Sequence, residues 1–209
     1  MTTYPTASGT VSGALLVLAH GAGAGEGHPF MVAIARGLAE RGIDVVTFDF
    51  PYIQQKRKVP DKAPVLEAAF RDAISTARHG VGRDRALFIG GKSMGGRMAT
   101  HLAAQGLDDL RGVVVLGYPL HPPGKRDQLR TAHFPKIRVP LLIVQGERDT
   151  FGTPAELEPI VGGMSAEITL HVIPGGDHSF AVPRSVERTT NSIYAGIMDT
   201  MSRWIQLRA

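Results

Sequence analysis

The stretch Ala86-Leu87-Phe88-Ile89-Gly90-Gly91-Lys92-Ser93-Met94-Gly95-Gly96-Arg97 decides the fold. Residues 86–89 are a short, continuous apolar run, the pattern of a strand buried on both faces of a parallel sheet. Residues 94–105 have helical spacing, so the segment reads as strand, glycine-rich turn, helix. Two motifs compete for the turn. Gly91-Lys92-Ser93 matches the end of a phosphate-binding loop, which needs another glycine five residues before Gly91. That position is Ala86, and the residues between are strand, so the backbone could not curl round a phosphate. The alternative, Gly91-Lys92-Ser93-Met94-Gly95, fits a Gly-x-Ser-x-Gly nucleophile elbow without edits. Its turn is so tight that the positions two before and two after the serine must lack a side chain. The serine is then held, strained, above the sheet edge with the N-terminus of the next helix aimed at it.

Working outward, runs of the same kind recur at residues 15–19, 45–48, 113–116, 141–144 and 168–173. Helical stripes lie between them: Phe30, Ile34 and Leu38; Val65, Leu66, Ala69, Phe70 and Ile74; and, last, Ile193, Ile197, Met201 and Trp204. Alternating strands and helices specify an α/β chain, a doubly wound parallel sheet covered on both faces. Residues 121–138 lack periodicity and hold Pro122-Pro123 and Pro135. They suffice for a small cap but not for a lid domain, and residues 1–209 read as one domain. The loop after the first run does not make a dinucleotide fingerprint. Gly-x-Gly-x-x-Gly ends on Glu26 when started at Gly21 and on His28 when started at Gly23.

Composition narrows the function classes. With 23 Lys+Arg against 19 Asp+Glu the net charge is only +4, and the one dense basic run is Lys56-Arg57-Lys58. No basic stripe with interleaved aromatics is present, so no nucleic-acid partner is expected. The longest apolar run near the N-terminus falls far short of the roughly 20 residues of a membrane span, and no basic residue precedes it as in a signal peptide. No membrane partner and a cytoplasmic location are expected. The chain has no cysteine. That removes disulfides, thiolate metal sites and a cysteine nucleophile, and neither a metal nor a cofactor is expected. Of the 25 glycines, ten gather at residues 21–27, 90–96 and 175–176.

In an open parallel sheet, ligands bind beyond the carboxyl ends of the strands. Three loops leaving strands there carry Ser93, then Asp149, then His178, the chain order of a hydrolase triad. A serine hydroxyl needs a base to take its proton. His178 is placed to do so, with Asp149 fixing its tautomer. Taken alone, Asp149 reads as a turn or cap residue and His178 as a loop histidine; their order and common placement carry the catalytic reading. Glu147 lies earlier in its turn, Asp177 abuts the histidine, and His20 and His121 do not follow the acid. For an oxyanion hole the Met94 N–H is one donor, and the Ala22 N–H, or alternatively that of Gly23, is the other. Gly21, Gly23, Phe50, Tyr52, Tyr118 and Leu120 are expected to wall the pocket. Lys92 either pairs with a carboxylate such as Asp49 or presents charge to an anionic acyl group, and Arg97 lies close by in the chain.

These segments together resemble compact dienelactone-hydrolase-related proteins of the α/β-hydrolase superfamily. The likeness rests on Lys92-Ser93-Met94-Gly95-Gly96-Arg97, His20-Gly21-Ala22-Gly23, Gln145-Gly146-Glu147-Arg148-Asp149 and Gly176-Asp177-His178-Ser179-Phe180. It runs from about residue 15 to the C-terminus. The resemblance implies a three-layer fold with a mostly parallel sheet of about six or seven strands, helices on both faces and no large lid. It also implies the triad and the oxyanion loop at the matching positions. Dienelactone hydrolase uses a cysteine nucleophile, which this chain lacks. The expectation is therefore a serine hydrolase acting on a small carboxylic ester or thioester through an acyl-enzyme on Ser93. A non-catalytic binding or scaffold protein, or an acyltransferase or peptidase with the same triad, are the alternatives. The last helix has one apolar stripe that the sheet can bury, so monomer and homodimer both stay open.

Overall fold

A computed structural model describes residues 1–6, 13–183, 185 and 187–209. The apolar runs become strands: β2 (Ala14–Ala19), β3 (Asp44–Phe48), β4 (Ala86–Lys92), β5 (Leu110–Leu116), β6 (Leu141–Gly146) and β7 (Ile168–Ile173). With β1 (Thr2–Tyr4) they form a seven-stranded sheet in the order β1-β3-β2-β4-β5-β6-β7. All neighbours are parallel except β1, which runs antiparallel along the edge of β3. This is the α/β-hydrolase fold.

The helices are α1 (Pro29–Ala39), α2 (Pro51–Gln54), α3 (Ala63–Val81), α4 (Met94–Ala104), α5 (Pro154–Val161) and α6 (Thr190–Gln206). Alternate residues of each central strand face opposite layers, as the period of two requires. On one face Leu15, Val17, Ile89 and Val113 pack under α3, α4 and α5 through Phe70, Met98, Leu102 and Leu157. On the other, Leu16, Leu18, Phe88 and Val114 pack under α1 and α6 through Ile34, Leu38, Ile197 and Trp204. Each fully buried Leu, Ile or Phe stabilises the fold by roughly 1.5–3 kcal/mol relative to exposure. The two helix layers therefore clamp β2 and β4, the strands that lead into the glycine-rich loops.

Some boundaries differ from the sequence reading, each for a physical reason. The β4 strand continues past its apolar run to Lys92, because Gly90 and Gly91 keep pairing with Leu18 and Ala19 on one side and Val114 and Val115 on the other. Backbone pairing does not depend on side-chain polarity, so apolar periodicity stops short. Val65, placed by spacing on the buried stripe of α3, is exposed; the helix turns Leu66, Phe70, Ala73, Ile74 and Ala77 inward instead. Strand β1, polar and only three residues long, and helices α2 and α5 carry too little periodicity to be read. Still, α5 has a capping box, with Thr153 and Glu156 satisfying each other's backbone.

The strand order decides where chemistry can occur. After β2 the chain crosses to β3 on one side, and after β4 it crosses to β5 on the other. Connections that part in this way open a crevice at the carboxyl ends of β2 and β4. The loop 20–28 and the turn at Ser93 face each other across it.

Candidate active site

Ser93 sits at the end of β4 with φ 51° and ψ −113°, a left-handed conformation unusual for a residue with a side chain. It is held there from both sides: its N–H donates to Leu116 O at 3.0 Å, and its carbonyl accepts from Arg97 N–H at 3.0 Å. The flanking glycines show why the spacing is required. A Cβ on Gly91 would stand 2.5 Å from Gly95 C and 2.6 Å from Ala19 O. One on Gly95 would stand 2.5 Å from Ala19 O and 2.6 Å from His20 O. All of these are backbone atoms, which cannot rotate away.

Ser93 Oγ lies 2.8 Å from His178 Nε2, and His178 Nδ1 lies 2.7 Å from Asp149 Oδ2. Asp149 is fully buried. Three donors compensate its removal from water: His178 Nδ1–H, Gln145 Nε2–H at 2.9 Å and Phe151 N–H at 2.8 Å. Because the carboxylate only accepts, the proton of His178 resides on Nδ1 and the Nε2 lone pair faces the Ser93 hydroxyl. The Phe151 ring lies against the imidazole, 4.3 Å between centroids, and limits its rotation.

Several supporting residues carry no signal that spacing alone reveals. Gln145, near the end of β6, is completely buried. Its Oε1 accepts from Tyr118 N–H at 2.7 Å while its amide donates to Gly152 O at 2.6 Å and to Asp149. One side chain thus ties the ends of β5 and β6 to the acid. Glu147 and Asp177, the rival acids, brace loops instead: Glu147 accepts from Gly175 N–H, and Asp177 accepts from Ser179 and Ala181 N–H. Lys92 does not pair with Asp49. Its Nζ donates to the His178 carbonyl at 2.6 Å and lies 5.3 Å from the centre of the Phe180 ring. Burial pushes its pKa down to about 8, against the pull of Asp149 and Asp177.

The loop after β2 is braced in the same manner. His20 is fully buried, and its Nε2 accepts from Phe50 N–H at 3.0 Å. Its proton is therefore on Nδ1, which donates to Gly21 O at 2.8 Å. Burial lowers the pKa of His20 and keeps it neutral in this role. Across from it, Met94 is the first residue of α4, where helix N–H groups have no intrahelical acceptor. Among the described residues, neither Met94 N–H nor Ala22 N–H donates to a backbone carbonyl outside the regular elements.

Gly21, Ala22, Ser93, Met94 and His178 line one cavity of about 540 Å³. Of the residues expected to wall it, only Gly21 does so. Phe50, Tyr52, Tyr118 and Leu120 are all buried in the core. Pro51 starts α2 immediately after the β3 loop, and Phe50 and Tyr52 flank it inward; the Tyr118 hydroxyl donates to Arg130 O at 2.6 Å; Leu120 packs against Gly152. Gly23, with φ 76°, turns the loop rather than lining the cavity. The walls come instead from Phe30 and Met31, Leu66, Phe151, Arg97 and Arg130. Arg97 alone had a readable signal, since it follows Ser93 by four residues and so shares its helix face.

Comparison with known proteins agrees with this architecture. A serine hydrolase homologue from Coxiella burnetii superposes with a TM-score of 0.75 at 16% identity, over 96% of this chain and 88% of that one. Dienelactone hydrolase from Anabaena variabilis gives 0.75 at 19% identity, over 97% and 89%. Est1E from Butyrivibrio proteoclasticus, solved with ferulic acid bound, gives 0.72 at 14% identity, over 100% and 95%. Identities this low speak for the fold alone. The family profile described as an alpha/beta hydrolase domain matches residues 12–206, from just before β2 to the end of α6. By that match the chain belongs to the alpha/beta hydrolase domain family.

Proposed function

We propose that this protein is a serine hydrolase that cleaves a small carboxylic ester or thioester. The observation that carries the reading is the unbroken chain of hydrogen bonds from buried Asp149 through His178 to Ser93, opening into a cavity beside two unclaimed N–H groups. Ser93 Oγ attacks the acyl carbon as its proton passes to His178 Nε2. The charge that develops on the carbonyl oxygen is met by Met94 N–H and Ala22 N–H. His178 then gives its proton to the departing alkoxide or thiolate, leaving the acyl group on Ser93. Water repeats the sequence: His178 takes its proton, hydroxide adds to the acyl carbon, and the carboxylic acid leaves as Ser93 regains the proton. Asp149 stabilises the imidazolium in both halves without being protonated itself.

The cavity is mostly apolar and its volume suits a drug-sized ligand. Est1E, which shares the fold, holds a small carboxylic acid, ferulic acid, and that supports the same size class here. The test is p-nitrophenyl acetate turnover together with fluorophosphonate labelling of the wild type and Ser93→Ala. Turnover should fall by at least about a thousandfold in the variant, and labelling should vanish while the fold persists. A protein that neither turns over the ester nor accepts the probe would favour the scaffold reading.

A further inference from the structure

Two arginines enter the same cavity as Ser93 and His178. Arg97 stands one turn into α4, and Arg130 comes from the segment that crosses the end of β5. The backbone of Arg130 is pinned: its N–H donates to Leu120 O at 2.8 Å, and its carbonyl accepts from the Tyr118 hydroxyl at 2.6 Å. Among the described residues its Nη1 reaches only the Pro119 carbonyl, at 3.4 Å. Among the described residues neither guanidinium has a carboxylate partner. Burial and the neighbouring charge of Arg97 both push the Arg130 pKa down.

Two titratable groups beside the pair are neutral. Tyr118 stays protonated because burial raises its pKa. His133, bonded to the Thr100 hydroxyl at 2.9 Å, is held down to about 4 by burial first and then by the neighbouring His101 and Arg97, against the pull of Glu67. The one carboxylate lining the cavity, Asp61, is engaged through Oδ1 by Arg57 at 2.6 Å, while its buried Oδ2 has no hydrogen-bond partner among the described residues. The other walls, Phe30, Met31, Leu66 and Phe151, are apolar. The cavity thus combines a mostly apolar body with two arginines that have no carboxylate partner among the described residues, and a planar carboxylate fits a guanidinium fork.

We infer that Arg97 and Arg130 form an anion subsite, and that the substrate is an ester or thioester carrying a free carboxylate at the far end of an apolar spacer. This rests on Ser93 being the nucleophile, and it adds the charge of the substrate to that reading. The carboxylate belongs to either the acyl or the alcohol portion, so the test has two arms. Mono-4-nitrophenyl glutarate is compared with 4-nitrophenyl hexanoate, and 3-carboxyphenyl acetate with phenyl acetate.

In at least one arm the carboxylate ester should show a kcat/KM at least tenfold above its neutral counterpart. That ratio should collapse in Arg97→Gln and Arg130→Gln and be partly kept in Arg130→Lys, which a purely packing role would not produce. Equal or reversed ratios in both arms overturn the subsite while leaving the hydrolase intact. Binding is read separately, by calorimetry of monomethyl glutarate against dimethyl glutarate on Ser93→Ala. Tighter binding of the half-ester, lost when Arg130→Gln is added, sustains the subsite even if no ester is turned over. Equal binding refutes it.

Discussion

Replacing Lys92 with methionine removes a cation from beneath the His178 loop while roughly keeping its volume. In the unfolded chain this lysine titrates near its ordinary 10.5; in the fold, burial brings it to about 8. Below pH 8 both states carry the proton, and the fold bears the desolvation of the ammonium. Between pH 8 and 10.5 the folded protein releases its proton while the unfolded chain still holds it. Stability therefore rises with pH across that window. At pH 9.5 the difference amounts to about 1.5 pK units, or about 2 kcal/mol above the value at pH 7. With a slope of about 2 kcal/mol per molar urea, the unfolding midpoint should gain about 1 M from this residue alone. The assay is urea unfolding of wild type and Lys92→Met at intervals from pH 7 to 9.5, with the difference between the two profiles isolating the lysine. Parallel profiles would refute the reasoning, because they would mean that the ammonium is solvated rather than buried between β4 and the His178 loop. A second readout is kinetic. The variant loses the bond to His178 O, so kcat for p-nitrophenyl acetate should fall by about tenfold, an estimate from the typical worth of a charged hydrogen bond, with little change in KM.

Gly95→Ala should cost about 2–3 kcal/mol and slow hydrolysis, because its Cβ meets two backbone carbonyls of the β2 end; Gly27→Ala, with nothing within 4 Å, should be neutral or slightly stabilising in the same denaturant series. Gln145→Leu should lower stability by about 3 kcal/mol and reduce kcat, since it strands Tyr118 N–H and Gly152 O and removes a donor from Asp149. A Gln145→Leu protein with unchanged urea midpoint would show that water takes over these bonds.

How much of this was legible without coordinates depends on the range of the forces involved. The elbow is a local steric device, and the clashes that forbid a side chain at Gly91 and Gly95 involve residues a few positions away or on the adjoining β2. The strand runs were legible because burial on both faces demands uninterrupted apolar side chains, and the order Ser93, Asp149, His178 was legible because a parallel sheet sends successive strand ends to one edge. The cavity walls were not. Phe50 and Tyr52 leave a strand end just as pocket residues do, yet Pro51 starts a helix that keeps both inside.

The sequence by itself thus determined the class of fold and the chemistry expected of Ser93, because periodicity and backbone sterics are written in neighbouring residues. Tertiary structure alone decided what the cavity presents. Arg97 and Arg130 stand 33 positions apart in the chain, and Gln145 reaches Tyr118 across 27. Their meeting depends on how strands and loops pack, and no local spacing encodes it.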